Sequence, residues 1–152
     1  MLKRMPILLF FFFIFYLSFG DLYSEDEYFL TLRNEKVNLR QGPSFDYPVK
    51  IFYKKKYLPV LIQDTSNNFR KVRDHENNTG WIHISQLSKK KAAIVIEDEL
   101  IMFSSSTIYS NPIALLKGGR LVKIKKCDEN WCKAVSGNFK GWVKKKSLWG
   151  LL

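Results

Sequence analysis

Apolar positions beyond residue 34 recur in runs of four to six, rich in β-branched and aromatic residues and broken by clusters of Gly, Asn, Asp and Ser. No stretch keeps a 3.6-residue period convincingly, so the pattern predicts short strands rather than helices. They are expected at Val37–Arg40, Val49–Tyr53, Leu58–Gln63, Phe69–Arg73 and Gly80–His83. A second set is expected at Ala92–Ile96, Leu100–Phe103, Arg120–Lys126, Trp131–Ser136 and Phe139–Val143. Turn chemistry separates them, as in Gly42-Pro43-Ser44, Asn77-Asn78-Thr79-Gly80, Lys117-Gly118-Gly119 and Ser136-Gly137-Asn138. Strands of this length and spacing predict an all-β fold of small barrels or sandwiches.

The pattern also repeats. Gly80-Trp81-Ile82 returns 61 residues later as Gly141-Trp142-Val143. Asn68-Phe69-Arg70-Lys71-Val72 resembles Asn130-Trp131-Cys132-Lys133-Ala134-Val135, and Leu58-Pro59-Val60-Leu61-Ile62 matches Arg120-Leu121-Val122-Lys123-Ile124. A leucine lies six residues past each tryptophan, Leu87 and Leu148. Each unit spans about 50–55 residues, a size that buries only ~60% of its unfolded surface and is marginal alone. The two units are therefore expected to pack together, and the apolar run Ala92–Ile96 between them favours contact over a loose tether.

The N-terminus has another character. Met1-Leu2-Lys3-Arg4 is basic, Met5–Gly20 carries no charge over sixteen residues, and Ser18-Phe19-Gly20 sets small residues before an acidic stretch. This is the layout of a secretory signal peptide, with an uncleaved inner-membrane anchor as the minor alternative. Sixteen helical residues reach ~24 Å, short of a ~30 Å hydrocarbon core. No cysteine stands at the cut, which excludes a lipid-modified start. The expected organisation is a signal peptide over 1–20, a linker over 21–34, one domain over 35–88, a linker strand over 89–98 and a second domain over 99–152.

Charge enters next. The 152 residues carry 25 Lys+Arg against 14 Asp+Glu, a net +11. Nucleic acid is the default partner of a basic intracellular domain, but an exported chain seldom meets it, so no nucleic-acid partner is expected. Three triplets, Lys54–Lys56, Lys89–Lys91 and Lys144–Lys146, suit either an anionic surface or plain solubility and edge protection.

Two cysteines and two histidines exclude a four-cysteine zinc site, and His75 and His83 lack finger spacing to the cysteines. Neither a metal nor a cofactor is expected. Cys127 and Cys132 flank Asp128-Glu129-Asn130 and read as a hairpin disulfide in an exported chain. A redox pair would want the shorter Cys-x-x-Cys at a helix start. His75-Glu76-Asn77-Asn78-Thr79 begins like a zinc-protease motif but lacks its second histidine. Glu97-Asp98-Glu99 reads as a solvated linker, and no nucleophile elbow or phosphate loop is present.

Val37-Asn38-Leu39-Arg40-Gln41-Gly42-Pro43-Ser44 with Tyr47-Pro48, followed by Phe69-Arg70-Lys71-Val72 and Gly80-Trp81-Ile82, resembles a bacterial SH3-like (SH3b) domain. Arg70–His75 with Gly80–His83, and Cys127–Cys132 with Gly141-Trp142-Val143 and Leu148-Trp149-Gly150, are similar to the subtype of exported alphaproteobacterial proteins. The resemblance covers residues ~35–150. It implies two tandem twisted barrels and a non-catalytic module whose partner is a cell-wall (peptidoglycan) peptide or an envelope protein. SH3b modules often accompany cysteine peptidases, but no segment remains for a hydrolase domain and both cysteines read as paired. The second copy departs from the signature, with Phe103-Ser104-Ser105-Ser106-Thr107 at its first loop, so any site using that loop belongs to the first copy.

The ligand-binding candidates are Arg40, Phe45, Tyr47, Tyr57 and Trp81. Phe45 and Tyr47 follow from the aromatic grooves of SH3-type domains. Arg40 can pin the loop internally or meet a ligand carboxylate, with the internal role favoured. Trp81 and Trp142 are expected mainly to plug their own barrels. The alternative to a specific ligand is charge-driven adhesion to the envelope.

Overall fold

A computed structural model describes residues 27–152. The signal segment expected over residues 1–20, and the linker up to residue 26, lie outside the described residues.

The first half forms β1 (Tyr28–Leu32), β2 (Val37–Arg40), β3 (Val49–Tyr53), β4 (Pro59–Ser66), β5 (Phe69–Arg73), β6 (Thr79–His83) and β7 (Leu87–Ser88). The second forms β8 (Ala92–Val95), β9 (Glu99–Phe103), β10 (Pro112–Lys117), β11 (Leu121–Cys127), β12 (Trp131–Ser136), β13 (Phe139–Lys144) and β14 (Leu148–Trp149). A 3₁₀ turn precedes the last strand of each half, Ile84–Gln86 and Lys145–Ser147, and no α-helix occurs among the described residues.

The two antiparallel sheets have one topology. Their orders are β3-β2-β6-β5-β4-β1-β7 and β10-β9-β13-β12-β11-β8-β14, identical after a shift of seven strands. The register break between Ile62 and Asp64 on β4 returns between Ile124 and Lys126 on β11. Such bulges bend a strand and raise its twist, which helps a sheet curl around its core.

Period-two alternation builds each core. Val37 and Leu39, Val60 and Ile62, Val72 and Ile82 fill the first. Leu100 and Met102, Val122 and Ile124, Ala134 and Val143 fill the second. Gly80 and Gly141 let the crossing strand approach, since a Cβ would meet the carbonyl oxygen of Arg40 at 2.6 Å and that of Phe103 at 2.5 Å.

Two expectations about the connections are corrected. Tyr28–Leu32, expected as linker, is β1 and pairs with both β4 and β7. Ala92–Val95, expected as a linker strand, is built into the second sheet between β11 and β14. All four of its residues are buried. Ala93 and Val95 enter the second core while Ile94 joins the first. A continuous apolar run is what a strand covered on both faces requires. Phe29 then meets Trp149 edge-on across the seam at 4.9 Å, so the two domains pack together.

Candidate functional site

β2 ends at Arg40, and the loop to β3 closes where the Gln41 N–H donates to the Pro48 carbonyl at 3.1 Å. Arg40 Nη1 donates to the carbonyls of Phe45 (3.1 Å) and Tyr47 (2.8 Å). Its guanidinium carbon stands 5.4 Å from the Phe45 ring centroid. Ser44 Oγ donates to Asp46 Oδ2 at 2.9 Å, and the Tyr47 ring covers Gly42 so closely that an added methyl would meet it at 2.6 Å. Arg40 thus pins the loop from within, a single guanidinium nitrogen donating to both carbonyls.

The pinned loop lays Phe45 on a platform. Its ring lies 5.2 Å from Phe69 and 5.1 Å from His83, and those two are 5.1 Å apart. Phe69 is buried, yet Phe45 keeps 61% and Tyr47 47% of their surfaces exposed. His83 is itself fixed, since its Nδ1 accepts the Ser85 N–H at 3.3 Å and caps the following 3₁₀ turn.

Trp81 does not plug the barrel. On β6 it is Gly80 and Ile82 that point inward, leaving Trp81 half-buried on the outer face. It pairs with Arg40 on β2 and Lys71 on β5. With Gln41, Lys50, Lys71 and Thr79 it lines a shallow cationic cleft beside the loop. The same inversion holds for Trp142, which lies under Lys126 and Lys133 at 5.5 and 5.8 Å while Val143 enters the core.

Behind the cleft, Asp74 ties β3 to the β5–β6 hairpin. Its Oδ2 accepts the Tyr53 hydroxyl (2.8 Å) and the Asn78 amide (3.0 Å). Its Oδ1 accepts the N–H groups of Glu76 (2.9 Å) and Asn78 (2.8 Å). Burial pushes the Asp74 carboxyl upward, but these bonds outweigh it and hold the pKa below the usual carboxylate value. Burial, donation to Asp74 and the nearby acidic charges drive the Tyr53 phenol far upward.

Arg40, Phe45, Tyr47 and Trp81 therefore share one side of the first domain. Tyr57 does not join them. It stands between β3 and β4 with its ring 4.9 Å from Lys123 Nζ of the second domain. Sequence reasoning missed Phe69, His83, Lys50 and Lys71 as neighbours of the site. The signal was available in Gly80-Trp81-Ile82-His83, whose alternation puts Trp81 and His83 on one outer face.

In the second domain Phe103 takes the place of Arg40 opposite the tryptophan and meets Trp131 edge-on at 5.8 Å. Cys127 and Cys132 form the expected disulfide across the β11–β12 hairpin, with Cα atoms 4.1 Å apart. Asp128 Oδ1 accepts the Asn130 and Trp131 N–H groups at 2.9 and 2.7 Å and shapes the turn. No cluster of three or more acidic, His or Cys residues that could hold a metal occurs among the described residues.

The family model described as "Bacterial SH3 domain" matches the chain twice, over residues 33–89 and 97–150. No curated protein matches. Among solved structures, NlpC2 from Trichomonas vaginalis is similar at 14% identity and a TM-score of 0.38, covering 81% of this chain and 48% of that one. NlpC1 from Trichomonas vaginalis gives 14% identity and a TM-score of 0.37, covering 85% and 47%. The chain spans about half the length of these two proteins.

Proposed function

The chain belongs to the bacterial SH3 domain family, and on that premise we propose that it is an exported, non-catalytic binding module whose first domain recognises a cell-wall peptide or an envelope protein. The observation that carries the reading is Phe45, held 61% exposed on the Phe69–His83 platform by the two Arg40 hydrogen bonds. A loop ordered before binding loses little further entropy on binding. The adjoining cleft sets Lys50 and Lys71 around Trp81, which suits a ligand that joins apolar atoms to a carboxylate, as wall stem peptides do. The family is one of binding domains that generally carry no catalysis, and a disulfide fits an oxidising compartment such as the periplasm or the medium.

Co-sedimentation with isolated peptidoglycan sacculi tests this at low and high salt. Salt-resistant pelleting that is lost in the Phe45→Ala/Tyr47→Ala double variant is expected. Unchanged pelleting of that folded variant overturns the assignment of the loop. The net charge of +11 favours a second reading, charge-driven adhesion. That reading predicts pelleting at low salt only, indifferent to the loop.

A further inference from the structure

We propose that Tyr57, Lys56, Lys90 and Lys123 form a second binding site, at the seam between the domains, that takes a phosphate group. The first observation is a backbone one. Tyr57 has φ +66°, and its N–H donates to the Leu32 carbonyl at 2.9 Å. The equivalent residue of the second domain is Gly119, with φ +75° and its N–H on the Val95 carbonyl at 2.8 Å. Glycine occupies this left-handed region freely, whereas a bulky side chain there is strained. The first domain keeps an aromatic ring where its own repeat shows that glycine serves the turn.

The second observation is what surrounds the ring. The Nζ atoms of Lys56, Lys90 and Lys123 stand 5.4, 5.7 and 4.9 Å from its centroid. They come from three separated segments: the turn itself, the β7–β8 connection and strand β11. The Thr31 hydroxyl donates to the Lys90 carbonyl at 2.8 Å and fixes that connection. Attraction to the ring face offsets part of the cost of gathering three cations, but not their mutual repulsion. Among the described residues the one ion pair lies elsewhere, between Lys117 and Glu99. No carboxylate among the described residues lies within ion-pair distance of these three ammonium groups.

Phosphate fits better than carboxylate. A phosphate monoester brings a charge near −2 at neutral pH and several acceptor oxygens, and ammonium groups bind it as point charges with rotatable donors. A carboxylate, with a single charge, leaves most of the excess uncompensated. The site needs both domains, since Lys123 belongs to the second sheet. It stands apart from the Phe45 platform, so it neither requires nor tests the wall-binding reading.

The test measures inorganic phosphate binding to the purified chain by calorimetry, beside flotation with phosphatidylcholine vesicles containing phosphatidic acid. Saturable binding is expected, weakened about tenfold or more by Lys123→Gln and by Lys56→Gln. Lys54→Gln, which neutralises a neighbour outside the cluster, should leave it within about twofold. Tyr57→Gly should relieve the backbone, leaving the melting temperature equal or higher while phosphate binding weakens. Flotation without binding of free phosphate identifies a lipid headgroup as the source, and binding of free phosphate without flotation identifies a soluble phosphorylated ligand. The proposal is overturned if neither probe binds, if Lys54→Gln weakens binding as much as Lys56→Gln, or if Tyr57→Gly melts lower with phosphate binding intact.

Discussion

The two domains share a strand order, a bulge and a glycine crossing, yet they secure equivalent positions by different chemistry. At the end of the second strand Arg40 ties down a loop by two hydrogen bonds, whereas Phe103 leans on Trp131. At the hairpin between the fourth and fifth strands Arg70 Nη1 donates to the Asn67 and Phe69 carbonyls, both at 3.0 Å. The second domain closes the same hairpin with the Cys127–Cys132 disulfide. After the fifth strand Asp74 gathers four donors, while the matching Ser136 accepts one, from Arg120 Nε at 2.9 Å. What stays constant is what the curl of the sheet demands. Both copies expose an aromatic in the loop after the second strand, Phe45 and Tyr47 in the first and Tyr109 in the second, but it is Phe45 that rests against Phe69 and His83.

The largest effect expected comes from the strand that both domains use. Ile94→Ala should cost about 3 kcal/mol in urea unfolding. It should lower a fluorescence-monitored transition of both domains together, although the residue belongs to the second sheet. Separate transitions would show that the seam couples them weakly. Asp74→Ala should cost about 2–3 kcal/mol, because the Tyr53 hydroxyl and Asn78 groups lose a buried acceptor, against about 1 kcal/mol for Ser136→Ala.

The same carboxylate gives a pH signature. Its folded pKa is depressed, so its contribution is complete above the unfolded value of about 3.9 and is lost as pH falls through the lower folded value. The stability gap between wild type and Asp74→Asn should therefore shrink below about pH 4. Reducing the disulfide should lower stability by about 2 kcal/mol, the loop-closure entropy of so short a ring. Arg70→Ala at the matching hairpin should cost about 1 kcal/mol. The smallest effect is that of Arg40→Lys, which keeps the charge and loses the planar guanidinium beside the Phe45 ring. It should cost about 0.5–1 kcal/mol while broadening the amide resonances of residues 42–47.

Much of this was legible because period-two runs are long enough to read in the cores, as in Val37-Asn38-Leu39-Arg40 and Trp131–Ser136. β10 was missed because Pro112-Ile113-Ala114-Leu115-Leu116-Lys117 lies at a sheet edge with only Leu116 buried, so no alternation survives. β7 and β14 are two-residue pairings made by distant partners, which no local pattern encodes. β1 follows directly on an acidic stretch and read as its continuation. At the site, the loop aromatics were legible from family resemblance. The outward turn of Trp81 was misjudged because tryptophan size was weighed above strand alternation. The lysines around Tyr57 could not be foreseen, because long-range packing alone brings Lys123 to that turn.

Because Ile94 fills one domain's core from the other domain's strand, the pair has no clean cutting point. A fragment ending near residue 90 would leave a hole in the first domain, and one beginning there would bare an isoleucine to water. Duplication supplied two copies, but residue 94 has turned them into a single inheritable part. Any transplant of the first domain onto another scaffold must carry β8 of the second with it.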